Sequence, residues 1–239
     1  MTQEPGHPII LYPGGEGLAT AYCPQGTTPT GGGAAVESDP LAPVFFRESA
    51  PDPARNRWQV RAYNGSNAVQ TVHPRVICTT DSSITESVGP DSSIQPGDFN
   101  SAPEVGCGNS RFVVGGGVQA GPKTFIMESD WTSIRSWFAM AKYTDYSPDA
   151  PLSYVRAIAI CSDNQPTLKV GSTKLEAGTV GTAHAECPAG QVPTGGGGAI
   201  GLDGLLNGSA PTATGWTVQG TNQAEGPRTL NASVFCTTP

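Results

Sequence analysis

The sequence contains no apolar run approaching the roughly eighteen residues that a membrane span requires. Its opening segment, Met1-Thr2-Gln3-Glu4-Pro5-Gly6-His7, has no Lys or Arg, and the apolar stretch Ile9–Tyr12 is too short for the core of a signal peptide. Either a leader has been removed, or the protein leaves the cell without one, as a virion component released by lysis does. Basic residues are sparse: 13 Lys and Arg stand against 20 Asp and Glu, for a net charge of −7, and no basic cluster occurs. A phosphate backbone is held by a concentrated basic face that displaces counterions, so the pattern argues against nucleic acid as a partner. Acidity also keeps the chain off anionic membranes. Room for long helices is missing too. With 31 glycines and 22 prolines in 239 residues, interior helix positions would cost about 1 and about 3 kcal/mol each relative to Ala. The same composition suits many short strands joined by turns.

What is present is a repeat. Cys23-Pro-Gln-Gly-Thr-Thr-Pro-Thr-Gly31-Gly32-Gly33 returns as Cys187-Pro-Ala-Gly-Gln-Val-Pro-Thr-Gly195-Gly196-Gly197, and in looser form as Cys107-Gly-Asn-Ser-Arg-Phe-Val-Val-Gly115-Gly116-Gly117. In all three the first glycine of the triplet follows the cysteine by 8 residues. Ser49-Ala-Pro51 matches Ser209-Ala-Pro211, with Ser129 at the same point of the middle copy. Trp58, Trp137 and Trp216 follow, each 79 residues from the next. Each tryptophan opens an alternating run, which predicts a strand with one buried face. Each copy then closes on a strand ending in Cys78, Cys161 or Cys236. Strands are also predicted at Ile9–Tyr12 and Thr167–Val170, ahead of the first and third copies. The polar interval Thr79–Asn100 reads as a connector with one strand near Ile84.

The copies occupy residues 1–80, 81–162 and 163–239. The fold class is all-β, and two architectures satisfy the pattern. One is a single pseudo-threefold, β-prism-like body of three antiparallel sheets; the other is three small β-sandwich domains in tandem. Connectors that themselves hold strand-like pieces favour the first. Six cysteines allow fifteen pairings, but the repeat selects Cys23–Cys78, Cys107–Cys161 and Cys187–Cys236. Loops of this size make each bond worth about 4 kcal/mol on the chain-entropy account. No Cys-x-x-Cys or close His/Cys set suggests zinc, so the cysteines point to an oxidising, extracellular setting. The glycine triplets match neither a phosphate loop nor a dinucleotide fingerprint. Glycines in equivalent strands mark close backbone approach and predict that the three strands meet at a shared axis.

Signs of catalysis are few. His7, His73 and His184 do not occupy equivalent positions, and no Gly-x-Ser-x-Gly elbow or calcium loop occurs. Glu48-Ser49 and Glu128-Ser129 recur in two copies, but the third has Gly208-Ser209; the serine is expected to bond a turn. No catalytic, metal or cofactor-binding residue is assigned, and the chain is not expected to be an enzyme. Trp58, Trp137 and Trp216 have two readings, as core or as three sugar-stacking platforms that gain avidity together. The sequons at Asn64, Asn207 and Asn231 are of a kind frequent by chance in a Ser/Asn-rich chain.

The order Cys-Pro-x-Gly, Gly-Gly-Gly, Ser-x-Pro, Gly-Trp-x-Val, Asn and terminal Cys resembles a repeat of uncharacterised secreted proteins of actinobacteria and related bacteria. The third copy matches best; the second lacks Cys-Pro and the Gly before Trp137. The resemblance covers most of the chain, implies an extracellular β module, and brings no enzymatic residues with it. Two functions remain open. One is a non-catalytic structural or attachment protein of a virion, cell surface or fibre; the other is a secreted lectin-like carbohydrate binder. The partners expected are other protein subunits, in an oligomer, or surface glycans, without membrane insertion.

Overall fold

The structure, a computed structural model, describes residues 1–36 and 42–239. The first copy supplies β1 (Thr2–Pro5), β2 (Ile9–Leu11), β3 (Glu16–Tyr22), β4 (Thr28–Val36), β5 (Val44–Asp52), β6 (Arg57–Asn64) and β7 (Gln70–Thr79). The second supplies β8 (Thr85–Val88), β9 (Ser92–Ile94), β10 (Phe99–Ser101), β11 (Val105–Gly106), β12 (Phe112–Ala120), β13 (Thr124–Ser133), β14 (Ser136–Tyr143) and β15 (Ser153–Ser162). The third supplies β16 (Thr167–Leu175), β17 (Val180–Glu186), β18 (Val192–Ala199), β19 (Gly204–Pro211), β20 (Gly215–Asn222) and β21 (Arg228–Thr237). The interval read as a connector therefore holds three short strands, β8, β9 and β10. They are largely exposed edge strands, and the alternation that betrays a buried face is weak in them.

These strands form three antiparallel sheets of 7 strands, and none belongs to a single copy. The first runs β1-β7-β4-β19-β20-β17, with β2 beside β7; the second runs β3-β6-β5-β12-β15-β8, with β9 beside β15; the third runs β10-β14-β13-β18-β21-β16, with β11 beside β14. Each glycine strand thus pairs with the cysteine strand of its own copy on one side. On its other side lies the Ser-x-Pro strand of a neighbouring copy. Three sandwiches in a row is not the architecture; the β-prism-like body is.

Two of the Trp strands alternate cleanly: Trp58, Val60, Ala62 and Asn64 in β6 are all buried, as are Trp137, Ala139, Ala141 and Tyr143 in β14, while β20 also buries Gly215 and Gln219 on its other face. One contiguous apolar core draws on all three copies. The predicted disulfides form, with Cα–Cα separations of 5.7, 5.5 and 5.7 Å for Cys23–Cys78, Cys107–Cys161 and Cys187–Cys236. They define one end of the prism, the cysteine pole. There the amides of Cys23, Cys107 and Cys187 donate to carbonyls of the turns that join the Ser-x-Pro and Trp strands. Just after Cys23 and Cys187, Gly26 and Gly190 take φ of +83° and +80°, which accounts for glycine in Cys-Pro-x-Gly. Turns at residues 12–15, 64–69, 144–152 and 223–227 lie at the opposite, loop pole.

Candidate functional site

The repeated residues occupy equivalent places, and each has a mechanical role. The first glycines of the triplets converge on the axis: a Cβ on Gly31 would lie 2.5 Å from the Gly195 Cα, and one on Gly195 would lie 2.6 Å from the Gly115 Cα. The second glycines, Gly32, Gly116 and Gly196, each lie beneath the indole of their own copy, Trp58, Trp137 and Trp216. The third glycines meet a serine carbonyl of the neighbouring copy: Gly33 meets Ser209, Gly117 meets Ser49 and Gly197 meets Ser129. Between the second glycines, the three serines and Phe46, Ile126 and Leu206 a void of only about 10 Å³ remains.

The tryptophans are 1%, 0% and 1% exposed, so none offers a ring face to a sugar. Their indole N–H groups donate to Ser49, Ser129 and Ser209 Oγ at 3.0, 3.2 and 2.9 Å. The serine was expected to bond a turn; it lies within a strand instead and satisfies the one polar atom of a buried indole. Asn64 and Asn207 are buried and bonded to backbone carbonyls, so these two sequons are closed to modification in the folded chain. The histidines lie apart: His7 bridges to Thr20, His73 sits in β7, and His184 Nδ1 meets Thr217 Oγ1 at 2.9 Å. Glu48 accepts from the Gln59 and Gln119 amides at 2.7 and 3.0 Å. Burial pushes the Glu128 carboxyl up. Among the described residues no group of three His, Cys, Asp or Glu is placed to hold a metal ion.

Larger hollows lie at both poles. At the cysteine pole a hollow of about 400 Å³ is lined by Thr79, Asp81, Ser162 and Thr194, with both chain termini beside it. Burial works to raise the Asp81 carboxyl. The Ser83 amide and hydroxyl, the Ser162 hydroxyl and the Asn164 amide outweigh it and hold the group below its ordinary range. The carboxylate is thus consumed in tying the start of the second copy to its end, with Asn164 just beyond.

At the loop pole a groove of about 460 Å³ separates the first and second copies. Gly14, Glu16 and Tyr63 form one wall; Lys123, Phe125, Thr144 and Asp145 form the other. Tyr63 is half-buried, with its ring centroid 5.6 Å from that of Phe125, which stands 5.6 Å from Phe45. Behind the first wall Glu16 receives both its hydrogen bonds from Arg47, at 2.8 and 2.7 Å, while Arg61 lies between Glu16 and Glu48. Opposite, Lys123 Nζ reaches Asp145 at 2.7 Å, a bond that raises the lysine and lowers the carboxylate relative to their ordinary values.

None of these groove residues follows from the repeat, because the groove is made where copies differ. At the position five after the tryptophan the copies carry Tyr63, Lys142 and Thr221. In the second position Lys142 forms an ion pair at 3.4 Å with Asp203 of the next copy; Tyr63 forms no such bridge. That departure was visible in the alignment of the copies, but its partner wall was not. No helix among the described residues is long and apolar enough to cross a membrane. No protein-family model matches the chain, and no curated protein matches its sequence.

Proposed function

We propose that this protein is a non-catalytic scaffold that works outside the cell as a structural or attachment component of a surface, fibre or virion. The observation that carries the reading is how the repeated residues are used. Cysteines, glycines, serines and tryptophans, the residues that recur in every copy, all go into cross-links, backbone contacts and one buried hydrogen bond per copy. Three disulfides in 239 residues fit an oxidising compartment, and the resemblance to a secreted actinobacterial repeat agrees with it. A body stapled within each copy and interleaved between copies suits rigid display, with loops presented at one pole. The partners proposed are protein subunits or surface glycans.

The test is fractionation of the native source with alkylation of thiols before any reductant is added. The reading expects the chain in the extracellular, surface or particle fraction with all six cysteines protected. Recovery from the cytoplasm with alkylatable cysteines would overturn it.

A further inference from the structure

We propose that the loop-pole groove between Tyr63 and Lys123–Asp145 is a binding site for a neutral saccharide, the ligand through which the scaffold attaches. The inference rests on the attachment reading above and deepens it. Its first support is charge. The walls and their backing hold three cations, Arg47, Arg61 and Lys123, and three carboxylates, Glu16, Glu48 and Asp145, so the groove as a whole is neutral. An anionic ligand would meet carboxylates on both walls, and a cationic one would compete with arginines already in place.

The second support is the mixture of surfaces. Tyr63 supplies aromatic area, with the largely buried Phe125 ring behind it, while Glu16, Thr144, Asp145 and Lys123 supply acceptors and donors at the rim. A pyranose has that composition: one face of C–H groups that packs on a ring, and an edge of hydroxyls that bond to charged groups. A wholly apolar ligand would desolvate the rim charges without replacing their water. At about 460 Å³, the groove falls within the range of small-ligand sites. Tyr12 and Tyr146, 70% and 69% exposed, stand on the same loops as Gly14 and Asp145 and add aromatic surface at this pole. The third support is asymmetry: Tyr63 occupies the place where the next copy forms the Lys142–Asp203 bridge.

The experiment is an amide-resolved NMR titration of the intact, oxidised protein. The probes are the methyl glycosides of glucose, galactose and mannose, N-acetylglucosamine, and sialic acid as the anionic comparison. At least one neutral probe is expected to shift amides of residues 14–18, 123–125 and 144–145, and to do so more strongly than sialic acid. Tyr63→Phe is expected to keep the affinity, and Tyr63→Ala to weaken it about tenfold, the scale of one aromatic stacking contact. If Tyr63→Ala unfolds, Thr144→Trp, which fills the groove from its loop, is expected to abolish the shifts. No shift at these amides from any neutral probe, stronger binding of sialic acid, or binding that survives Thr144→Trp overturns the inference. An extracellular, fully disulfide-bonded chain that binds none of these sugars would leave the scaffold reading in place.

Discussion

Asp130 is the residue at which the structure makes the sharpest quantitative demand. It follows Ser129 at a position where the other copies carry Ala50 and Ala210, and it is only 6% exposed. Its Oδ1 accepts from the Ser233 hydroxyl of the third copy and from the Trp131 amide at 2.9 Å. Burial outweighs both bonds, and with Glu128 nearby it pushes the carboxyl up to about 7 from 3.8. A folded-state pKa above the unfolded one means the group favours folding while it is protonated. That contribution is complete below about pH 4 and is lost as pH rises through 7. A shift of about 3 units corresponds to about 4 kcal/mol in full, of which about 2–3 kcal/mol falls between about pH 5 and about pH 8. Asp130→Asn keeps the Oδ1 acceptor and cannot ionise. Urea unfolding at these two pH values is expected to show the variant gaining about 2–3 kcal/mol on the parent at the higher one. A stability difference that does not change with pH would refute the argument. Asp130→Ala installs the residue of the other copies but leaves the Ser233 hydroxyl without this acceptor, so it should show the same gain with pH from a stability about 1 kcal/mol lower than that of Asp130→Asn at both pH values.

The remaining expectations concern the repeated residues. Gly115→Ala places a methyl against the Thr30 carbonyl on the axis and is expected to cost at least about 3 kcal/mol or prevent folding. Gly26→Ala meets open space, with only its φ of +83° against it, and should cost about 1 kcal/mol; equal losses in thermal melts would refute the axis packing. Ser209→Ala removes the acceptor of the Trp216 indole and is expected to cost about 1–3 kcal/mol by urea titration, whereas a neutral result would mean the indole finds another partner. The oxidised chain is expected to unfold in one transition by calorimetry and by tryptophan fluorescence together, because every sheet is shared; three separable transitions would indicate independent copies.

Much of this fold was legible because it repeats. Strict spacing within the chain paired the cysteines and placed the glycines on an axis. The sharing of sheets was not legible, since the ladders between copies are very short. They comprise Ser209↔Ala34 in one sheet, Ser49↔Val118 and Glu48↔Gln119 in the second, and Ser129↔Gly198 and Glu128↔Ala199 in the third. No local pattern encodes so brief a contact. The serine–tryptophan bond was hidden for a related reason: its partners stand 9, 8 and 7 residues apart across hairpins of unequal length. The corner glycines offered a signal that could have been read. Gly6, Gly89 and Gly171 take equivalent places, and a side chain there would strike Thr20, Val105 or His184 of the adjoining sheet. Each precedes its cysteine by 16 to 18 residues. A lone glycine in a short strand is weak punctuation, however, and draws attention only once the sheets are known to meet there.

Those corners give the short inter-copy ladders their effect. The edge strand β1 packs on β3, β8 on β11, and β16 on β17, so the outer edges of the three sheets close on one another. Closure protects edges that would otherwise pair with other chains. It also means that parting one ladder must disturb the axis or a corner. Positions that serve this closure have to be alike in all three copies, because each copy faces the same neighbours. Positions released from it are free to differ, as at Asp130 against two alanines, Trp131 against Pro51 and Pro211, and Tyr63 against Lys142 and Thr221. In this body the residues that match are spent on holding it together, which leaves residues that do not match to read a ligand. The groove beside Tyr63 is the place where such a departure is joined to open volume and to a wall from another copy.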